Sequence, residues 1–308
     1  MPFSAVLEKA FFFSSTRRGI KMLRLGFIGA GTVGTALSLR LSERGYKVVA
    51  VSSRSRSSAD KLAYEICGCH AFDNNQGVAD TAELVFITTP DSTIAPVASE
   101  VQWHPGQSVV HCSGADSTDI LEPAKKLGAR VGAFHPLQTF ASVKQAIDNI
   151  PGSTFAVEAE EPLLTILKNM TGVLDGHWIE LKASDKVLYH AAAVIACNYM
   201  VTLIKLATDL WQTFNIPSHQ AIRALMPLLQ GTLNNIENVG IPQCLTGPIA
   251  RGDTGTIKKH LQTLQKAAPA MLATYRELGM QTIPIALGKG RINEQQAEEL
   301  QAVLRPER

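Results

Sequence analysis

Three glycines near the start of the chain have the spacing that could bind a dinucleotide. Gly29, Gly31 and Gly34 follow a short apolar run, and a helical pattern begins directly after them. In such a turn the first glycine permits the tight bend, the second lets the backbone approach a pyrophosphate, and the third allows close packing of helix and strand. The N–H groups and positive dipole end of the new helix would then meet the phosphates. A glycine turn without a ligand is the alternative. The cofactor-binding residues predicted here are Gly29, Ala30, Gly31, Thr32, Val33 and Gly34.

The residues after the second predicted strand indicate which dinucleotide is bound. NAD enzymes usually place a carboxylate about twenty residues beyond the glycines, where it binds the ribose 2′-hydroxyl. Here Ser53, Arg54 and Ser55 follow the strand, and no acidic residue stands beside them. A guanidinium with neighbouring hydroxyls would pair with a 2′-phosphate. We therefore expect NADP as the cofactor, against the alternative of a solvated basic turn.

Small and polar residues follow two further predicted strands. Ligands of doubly wound sheets lie outside the carboxyl ends of the strands, so Thr89, Pro90 and Ser113 are predicted along the cofactor path. Asp91 is interpreted as a helix N-cap, and His111 as a core histidine satisfied by backbone groups.

A histidine and a glutamine follow the next strand. His135 precedes Pro136 and is therefore expected in a loop at the binding edge, as a candidate catalytic residue. A purely structural role for His135 remains equally open. Gln138 is a candidate substrate ligand in the same segment.

Polar residues in the second half of the chain supply further candidates. His190 and Asn198 are eight residues apart in an apolar helical stretch and are predicted on one face, where both need polar partners. They are candidate catalytic residues. Thr246, Arg251 and Asp253 belong to a Gly- and Pro-rich loop and are candidate substrate ligands. Asp253 is equally open to a capping role, and Arg251 to a surface role.

The pattern of elements predicts where these residues are held. From residue 22 to about 182, short apolar strands alternate with helices, which is typical of an α/β Rossmann fold, a doubly wound and mainly parallel sheet. Beyond 182 only helices are predicted, at 184–214, 218–235, 254–278, 284–288 and 294–304. We therefore expect an NADP-binding domain over 22–182 and an all-α substrate and dimerisation domain over 183–308, with 1–21 a disordered extension or a mis-called start. The predicted strands are 23–28, 47–51, 70–72, 84–88, 108–111, 130–134, 154–157 and 178–181.

Composition excludes several classes of protein. The net charge of +2 is too small for a nucleic-acid or membrane surface. Five cysteines without a spaced framework are expected to be reduced thiols in a cytoplasmic protein, and no metal site is expected. The most apolar stretch, 187–204, is predicted to be a buried helix rather than a membrane span.

Taken together, the motifs resemble a known family, the Rossmann-like proteins that carry a C-terminal "domain of unknown function 2520". That family is similar in architecture to the pyrroline-5-carboxylate reductases, the F420-dependent NADP oxidoreductases and the 6-phosphogluconate dehydrogenase superfamily. The resemblance implies an NADP-type Rossmann domain, a helical dimerisation domain and a substrate cleft between them, but no particular substrate. The motifs that carry it are G-A-G-T-V-G, S-S-R-S, T-P-D, H-C-S-G-A, H-P-L-Q-T-F, Y-H-A-A-A and L-T-G-P-I-A-R-G-D.

One departure from that superfamily bears on the chemistry. Its hydroxyacid dehydrogenases place a catalytic lysine four residues before an asparagine, and here Val194 precedes Asn198 at that spacing. A ketone reduction needs an acid for the developing alkoxide, whereas hydride addition to an iminium gives a neutral amine directly. We therefore expect reduction of a C=N substrate, or a C=O substrate with His135 or His190 as the acid.

Two functions remain after these arguments. The first is an NADP-dependent oxidoreductase that binds a small-molecule substrate; the second is a non-catalytic NADP-binding sensor or scaffold protein. In either case the apolar faces of the helices exceed what one subunit can cover, so a homodimer is expected.

Overall fold

The computed structural model describes residues 23–306, so the expectation for 1–21 lies outside the described residues. The chain divides into two compact units after Cys197, within a long helix. The sheet itself ends at Glu180, close to the predicted domain boundary at 182.

The first unit is built on one eight-stranded sheet with the order β3-β2-β1-β4-β5-β6-β7-β8. All neighbouring strands are parallel except β6 and β7, which pair antiparallel. The order reverses between β1 and β4, and this is where doubly wound sheets bind ligands. The predicted α/β Rossmann class followed by helices is confirmed. The strands are β1 Arg24–Ile28, β2 Lys47–Ser52, β3 His70–Phe72, β4 Leu84–Ile87, β5 Ser108–His111, β6 Arg130–Leu137, β7 Thr154–Ala159 and β8 His177–Glu180.

Helices connect the strands and form the second unit. In the first unit they are α1 Thr32–Glu43, α2 Arg56–Glu65, α3 Asn75–Thr81, α4 Asp91–Glu100, α5 Glu122–Lys126, α6 Val143–Asn149, α7 Leu163–Val173 and α8 Lys186–Ala193. A π-helical turn over Val194–Asn198 joins α8 to α9. The remaining helices are α9 Tyr199–Gln212, α10 Ser218–Val239, α11 Thr254–Ala267, α12 Leu272–Gly288 and α13 Glu294–Leu304.

Phenylalanines form the centre of the sheet's core. Phe27 stacks on Phe86 with ring centroids 5.1 Å apart, and Phe134 stacks on Phe155 at 4.5 Å. Strands β4 and β5 are buried along their whole length because helices cover both faces of the sheet. This rigid centre fixes the loops that leave the carboxyl ends of β1, β4, β5 and β6.

Two predictions about the helical half are wrong. The single helix expected over 254–278 is two helices, because Pro269 opens a separate 3₁₀ turn after α11 ends. The short helix expected over 284–288 is the end of α12, which contains Pro284.

The long apolar helix is exposed, which corrects the prediction of a buried helix. The helical run Ala183–Gln212 has a mean hydropathy of 1.7 over its most apolar window, and none of that window is buried in the isolated chain. Within the described residues it is the one helix long and apolar enough to cross a membrane. Length and composition alone do not distinguish a membrane span from a core or interface helix.

Candidate functional site

A groove lies at the carboxyl ends of β1, β2 and β4, where the strand order reverses. Its volume is about 780 Å³, which is within the range of small-molecule and cofactor sites. Eight of the residues predicted to bind the cofactor line it: Gly29, Ala30, Gly31, Ser53, Arg54, Ser55, Thr89 and Pro90.

The three glycines of the turn differ in what surrounds them. Gly29 has a φ of +113°, which favours glycine, and a methyl group on it would lie 2.9 Å from the Thr88 carbonyl. A methyl group on Gly34 would lie 2.2 Å from the carbonyl oxygen of Gly29. Around Gly31, by contrast, the position of a methyl group is open, with no atom within 4 Å. Gly29 and Gly34 are therefore required by the fold, and Gly31 leaves room for a ligand.

Helix α1 begins at this open position. Gly31 is its N-cap and provides no side-chain cap, and the first turn contains no acidic residue, so the leading N–H groups of Thr32, Val33 and Gly34 have no capping side chain. On the other wall of the groove, the buried hydroxyl of Thr89 has no hydrogen-bond partner among the described residues. The open space, the uncapped helix and the orphaned hydroxyl together fit a bound pyrophosphate.

Arg54 lines the far end of the groove, and Arg56, two residues further along the chain, does not. Arg56 forms ion pairs with Asp60 and Asp73, and hydrogen bonding to Asp60 raises the pKa of its guanidinium. Arg54 lines the groove and forms no ion pair or hydrogen bond with the part of the chain that the structure describes. The guanidinium of Arg54 is thus free to bind an anion, next to the hydroxyls of Ser53 and Ser55.

The loop after β5 is held rigidly by its own side chains. The Nδ1 atom of His111 accepts a hydrogen bond from the Ser113 N–H at 3.1 Å, so Nε2 carries the proton donated to the Ser117 carbonyl at 3.2 Å. This geometry makes His111 a buried core histidine, as the sequence indicated. Burial and the nearby charge of Lys186 together lower its pKa to about 3.

The hydroxyl of Ser113 joins this loop to Asp91, which follows the groove residue Pro90, and this contact changes the interpretation of both residues. The hydroxyl of Ser113 lies 3.0 Å from Asp91 Oδ2 and 2.9 Å from Asp116 Oδ2. Ser113 is buried and is not among the residues that line the groove. Asp91 is the first residue of α4 rather than its N-cap, and no side chain caps that helix. The predicted N-cap is therefore wrong, because the carboxylate of Asp91 faces Ser113 instead.

Two histidines and a tyrosine cluster beside this loop. His135 Nδ1 lies 2.8 Å from the hydroxyl of Tyr189, and the ring of His135 meets that of His190 edge-on at 6.2 Å between centroids. A methyl group on Gly114 would lie 2.7 Å from Cδ2 of His190 and 2.8 Å from Nε2 of His135. Glycine at 114 is therefore what lets the loop contact both imidazoles.

His135 lies in a strand, which corrects the expectation that Pro136 places it in a loop. Strand β6 extends to Leu137 because its outer half pairs with β7, where His135 faces Ala156 and Pro136 faces Phe155. Pairing with β5 ends at Ala133, so the missing N–H of proline is tolerated on that side.

Burial shifts the acid–base properties of the cluster. Together with His190 and Lys186, burial lowers the pKa of His135 to about 4, so His135 is neutral at pH 7. It raises the pKa of Tyr189 to about 12, so the phenol keeps its proton. The cluster therefore combines a neutral imidazole with a protonated phenol.

Sequence reasoning missed two functional candidates on α8. Tyr189 adjoins His190 in an apolar stretch and went unused, although a polar side chain there needs a partner. Lys186 stands one turn before His190 and is buried, whereas the expected lysine position was 194.

The other predicted residues have individual surroundings. Gln138 is exposed after β6 and donates to the Ser153 hydroxyl at 3.3 Å. In the second unit, Thr246 and Arg251 are exposed. Asp253 caps α11, since it accepts from the N–H of Thr256 at 2.9 Å and from its hydroxyl at 2.7 Å. These hydrogen bonds lower the pKa of Asp253 and favour the capping interpretation over substrate binding.

The π-helical turn changes the predicted geometry of the long helix. Asn198 ends this turn, so its spacing from His190 no longer follows the i, i+4, i+8 rule that predicted one shared face. In residues 23–306 no group of three or more His, Cys, Asp or Glu side chains is arranged to hold a metal ion.

Several solved structures share this fold. The Bacteroides fragilis protein BF3122, provisionally described as an NADP oxidoreductase, is 26% identical, with a TM-score of 0.71 over 86% of this chain and 99% of that chain. Protein TM1727 from Thermotoga maritima is also 26% identical, with a TM-score of 0.69 over 87% of this chain and 100% of that chain. A reductive aminase from Aspergillus terreus, in complex with NADPH and ethyl-5-oxohexanoate, is 15% identical, with a TM-score of 0.61 over 92% of both chains, and shows similarity of fold alone. No curated protein matches the chain in sequence.

Two family models match the chain one after the other. Residues 14–136 match the Rossmann-like domain, and residues 153–282 match the domain of unknown function DUF2520. The chain therefore combines a Rossmann-like domain with a DUF2520 domain, in agreement with the resemblance of its motifs.

Proposed function

We propose that the protein is an NADP-dependent oxidoreductase that transfers a hydride to or from the carbon of a small C=N or C=O substrate. One observation carries the proposal. A groove suited to a dinucleotide and a cluster of proton-bearing side chains lie in the same compact unit, and the Asp91–Ser113 hydrogen bond connects the loops that shape them. The Bacteroides fragilis protein, described as an NADP oxidoreductase and 26% identical, supports the reaction class.

The groove would hold the cofactor through three sets of groups. The bare backbone at Gly31 and the leading N–H groups of α1 would bind the pyrophosphate. Thr89 would donate its unpartnered hydroxyl. Arg54, with Ser53 and Ser55, would bind the 2′-phosphate, while Arg56 is already paired with two carboxylates. When bound, NADPH supplies the hydride.

The chain's own side chains would manage the proton. Because His135 is neutral at pH 7, it is not the imidazolium acid that a ketone reduction would use. The phenol of Tyr189 is protonated and within hydrogen-bond distance of His135, so Tyr189 is the stronger candidate donor, with His135 orienting its hydroxyl. His190 shares the Gly114 contact and is the second histidine of the cluster.

Because His135 is not an imidazolium at pH 7, C=N substrates are favoured over C=O substrates. A ketone becomes an alkoxide on hydride addition and requires a strong donor, whereas an iminium becomes a neutral amine without one. We therefore rank reduction of imines or iminium ions first. Gln138, Thr246 and Arg251 remain the proposed substrate contacts, and Asn198 remains a candidate catalytic residue.

We also propose that the protein is a homodimer. Helices α8 to α10 leave large apolar side chains exposed, and the side chain of Leu188 alone is 76% exposed. An apolar surface of this extent normally marks an association site, and a second copy would cover it. The remaining exposed residues on these helices include Val187, Ile195, Tyr199, Val201, Met226 and Leu228.

Turnover assays with a panel of carbonyl and imine compounds test the proposed reaction. NADPH oxidation would be followed with cyclic imines, with ketones plus amines, and with ketones or keto acids alone. We expect the highest turnover with the cyclic imines and with the mixtures of ketone and amine. Tight NADPH binding without turnover on any compound would instead favour a sensor or scaffold protein, in which the groove is kept and the chemistry is lost.

A further inference from the structure

Lys186 is a buried cation that the proposed proton transfer does not use. It is the first residue of α8, and 1% of its side chain is exposed. Buried ammonium groups are costly unless they are paired, so a lysine in this position needs a reason. It stands one turn before His190 and three residues before Tyr189 on the same helix.

The contacts of Lys186 link three elements. Its Nζ donates to the carbonyl of Ser113 at 3.4 Å and lies 3.6 Å from Oε2 of Glu158 on β7. Glu158 in turn accepts from the hydroxyl of Thr118 at 2.8 Å and from the Thr118 N–H at 3.2 Å. Helix α8 and strand β7 therefore hold the 113–118 loop at both of its ends.

That loop carries the glycine that contacts the imidazoles. Gly114 lies between Ser113, which Lys186 holds, and the carboxylate-bound stretch that ends at Thr118. A displacement of this loop would remove the backbone that packs against His135 and His190. We propose that Lys186 is a positioning residue for the proposed reaction: its buried ammonium ties the 113–118 loop to Glu158 and keeps Gly114 against the two histidines. This inference rests on the proposed function, because a positioning role presumes the proposed reaction. Its test measures histidine titration and amide exchange, and neither requires turnover.

The charge of Lys186 also acts on its neighbours. Burial lowers the pKa of Lys186, whereas Glu158, Asp116 and Cys112 act in the opposite direction and favour its charged form. The charge of Lys186 acts in turn on His111, His135 and Cys112. Tyr189 and His190 complete the surroundings of His135. Because a nearby positive charge disfavours the imidazolium, Lys186 helps to keep His135 neutral, which is the state that can orient the hydroxyl of Tyr189.

The test measures the titration of labelled histidines by NMR, which needs no turnover. In K186M we expect the midpoint of His135 to rise by a fraction of a pH unit, because Lys186 lowers the pKa of His135 less than burial and His190 do. The double variant K186M/E158Q leaves no unpaired carboxylate and should show the same rise, so it replaces K186M if that variant does not fold. The exposed Lys182→Met serves as the matched control and should leave the midpoint unchanged.

Amide exchange gives the second readout. In both Lys186 variants the N–H groups of residues 114–118 should exchange about tenfold faster, while those of β4 stay as in the wild type. A folded K186M/E158Q protein with an unchanged His135 midpoint and unchanged exchange in the loop would overturn the proposal. A protein that fails to turn over any substrate, yet shows both changes, would refute the oxidoreductase and leave the positioning role of Lys186 intact.

Discussion

The Nδ1 atom of His135 and the hydroxyl oxygen of Tyr189 lie 2.8 Å apart, and this contact joins strand β6 to helix α8. The imidazole is neutral because burial lowers its pKa to about 4, and the phenol is protonated because burial raises its pKa to about 12. An imidazole with its proton on Nδ1 would donate to the phenol oxygen and leave the phenol's own proton for a substrate. This pair is therefore the strongest candidate for proton transfer in the site.

Removal of the Tyr189 hydroxyl should slow the reaction without weakening cofactor binding. General acids contribute roughly 10²- to 10⁴-fold, so Tyr189→Phe should lower kcat by about 100-fold on a C=O substrate and by less on a preformed iminium. Steady-state kinetics and NADPH titration measure the two effects. Tyr64→Phe changes a tyrosine that is 90% exposed and is the control. Full turnover by Tyr189→Phe on both substrates would remove Tyr189 from the mechanism.

The glycines of the turn should fail in different ways when they are replaced. A Cβ atom at Gly31 meets no atom within 4 Å, so Gly31→Val should keep the wild-type Tm but lose NADPH binding, because its methyl groups fill the phosphate space. At Gly34 a methyl group would lie 2.2 Å from a backbone carbonyl oxygen. Gly34→Ala should therefore lower the free energy of unfolding by about 1–3 kcal/mol.

Thermal unfolding with and without NADPH separates these two outcomes. The account predicts one variant that is stable and does not bind, and one that is destabilised. If Gly31→Val bound NADPH as tightly as the wild type, the groove would not be a pyrophosphate site.

Stability should fall as the pH drops below the ordinary pKa of histidine. His111 and His135 have pKa values lowered from 6.5 to about 3 and about 4, so the unfolded chain binds more protons than the folded chain between these limits. The free energy of unfolding therefore decreases from about pH 6.5 downward, by up to about 1.4 kcal/mol per pH unit for each histidine.

Urea unfolding at several pH values measures this slope. His135→Asn should flatten it over the window between about pH 6.5 and pH 4, whereas His70→Asn, at an exposed position, should not. An unchanged slope in His135→Asn would mean that His135 is not held in its neutral form by the fold.

A charge introduced on the exposed apolar helices should dissociate the proposed homodimer. Leu188 is 76% exposed in the single chain, and a carboxylate there would be buried without a partner in a dimer. Light scattering should report a dimer for the wild type and a monomer for Leu188→Glu, while Tyr64→Glu, on α2, should remain dimeric. A monomeric wild type would exclude the proposed homodimer.

Much of the fold follows from local sequence patterns, because the strands are short apolar runs bounded by turn residues. All eight predicted strands are present, and the largest error is at β6, which extends three residues beyond the predicted end. That extension depends on antiparallel pairing with β7, a tertiary contact that no local pattern contains. Pro269 indicates that the helix predicted over 254–278 ends after α11. The helical periodicity on both sides of Pro269 nevertheless favoured a single continuous helix.

The site was only partly predictable, and the reason is geometric. The glycine turn and Arg54 occupy fixed positions relative to a strand, so spacing locates them. Tyr189 and Lys186 act across the fold on residues more than fifty positions away, and the π-helical turn before Asn198 alters the spacing that predicted a shared face. Asp253 illustrates the opposite case, since a residue type suited to binding serves as a helix cap.

The relative affinity of the protein for NADPH and NADH, measured by calorimetry, tests the central claim most directly. A free guanidinium at Arg54 should bind the 2′-phosphate through charge-assisted hydrogen bonds worth about 1.5–3 kcal/mol, so NADPH should bind roughly 10- to 100-fold more tightly than NADH. The preference should disappear in Arg54→Ala and persist in Arg56→Ala, whose guanidinium is already paired. Equal or tighter binding of NADH, or no heat with either nucleotide, would contradict the account.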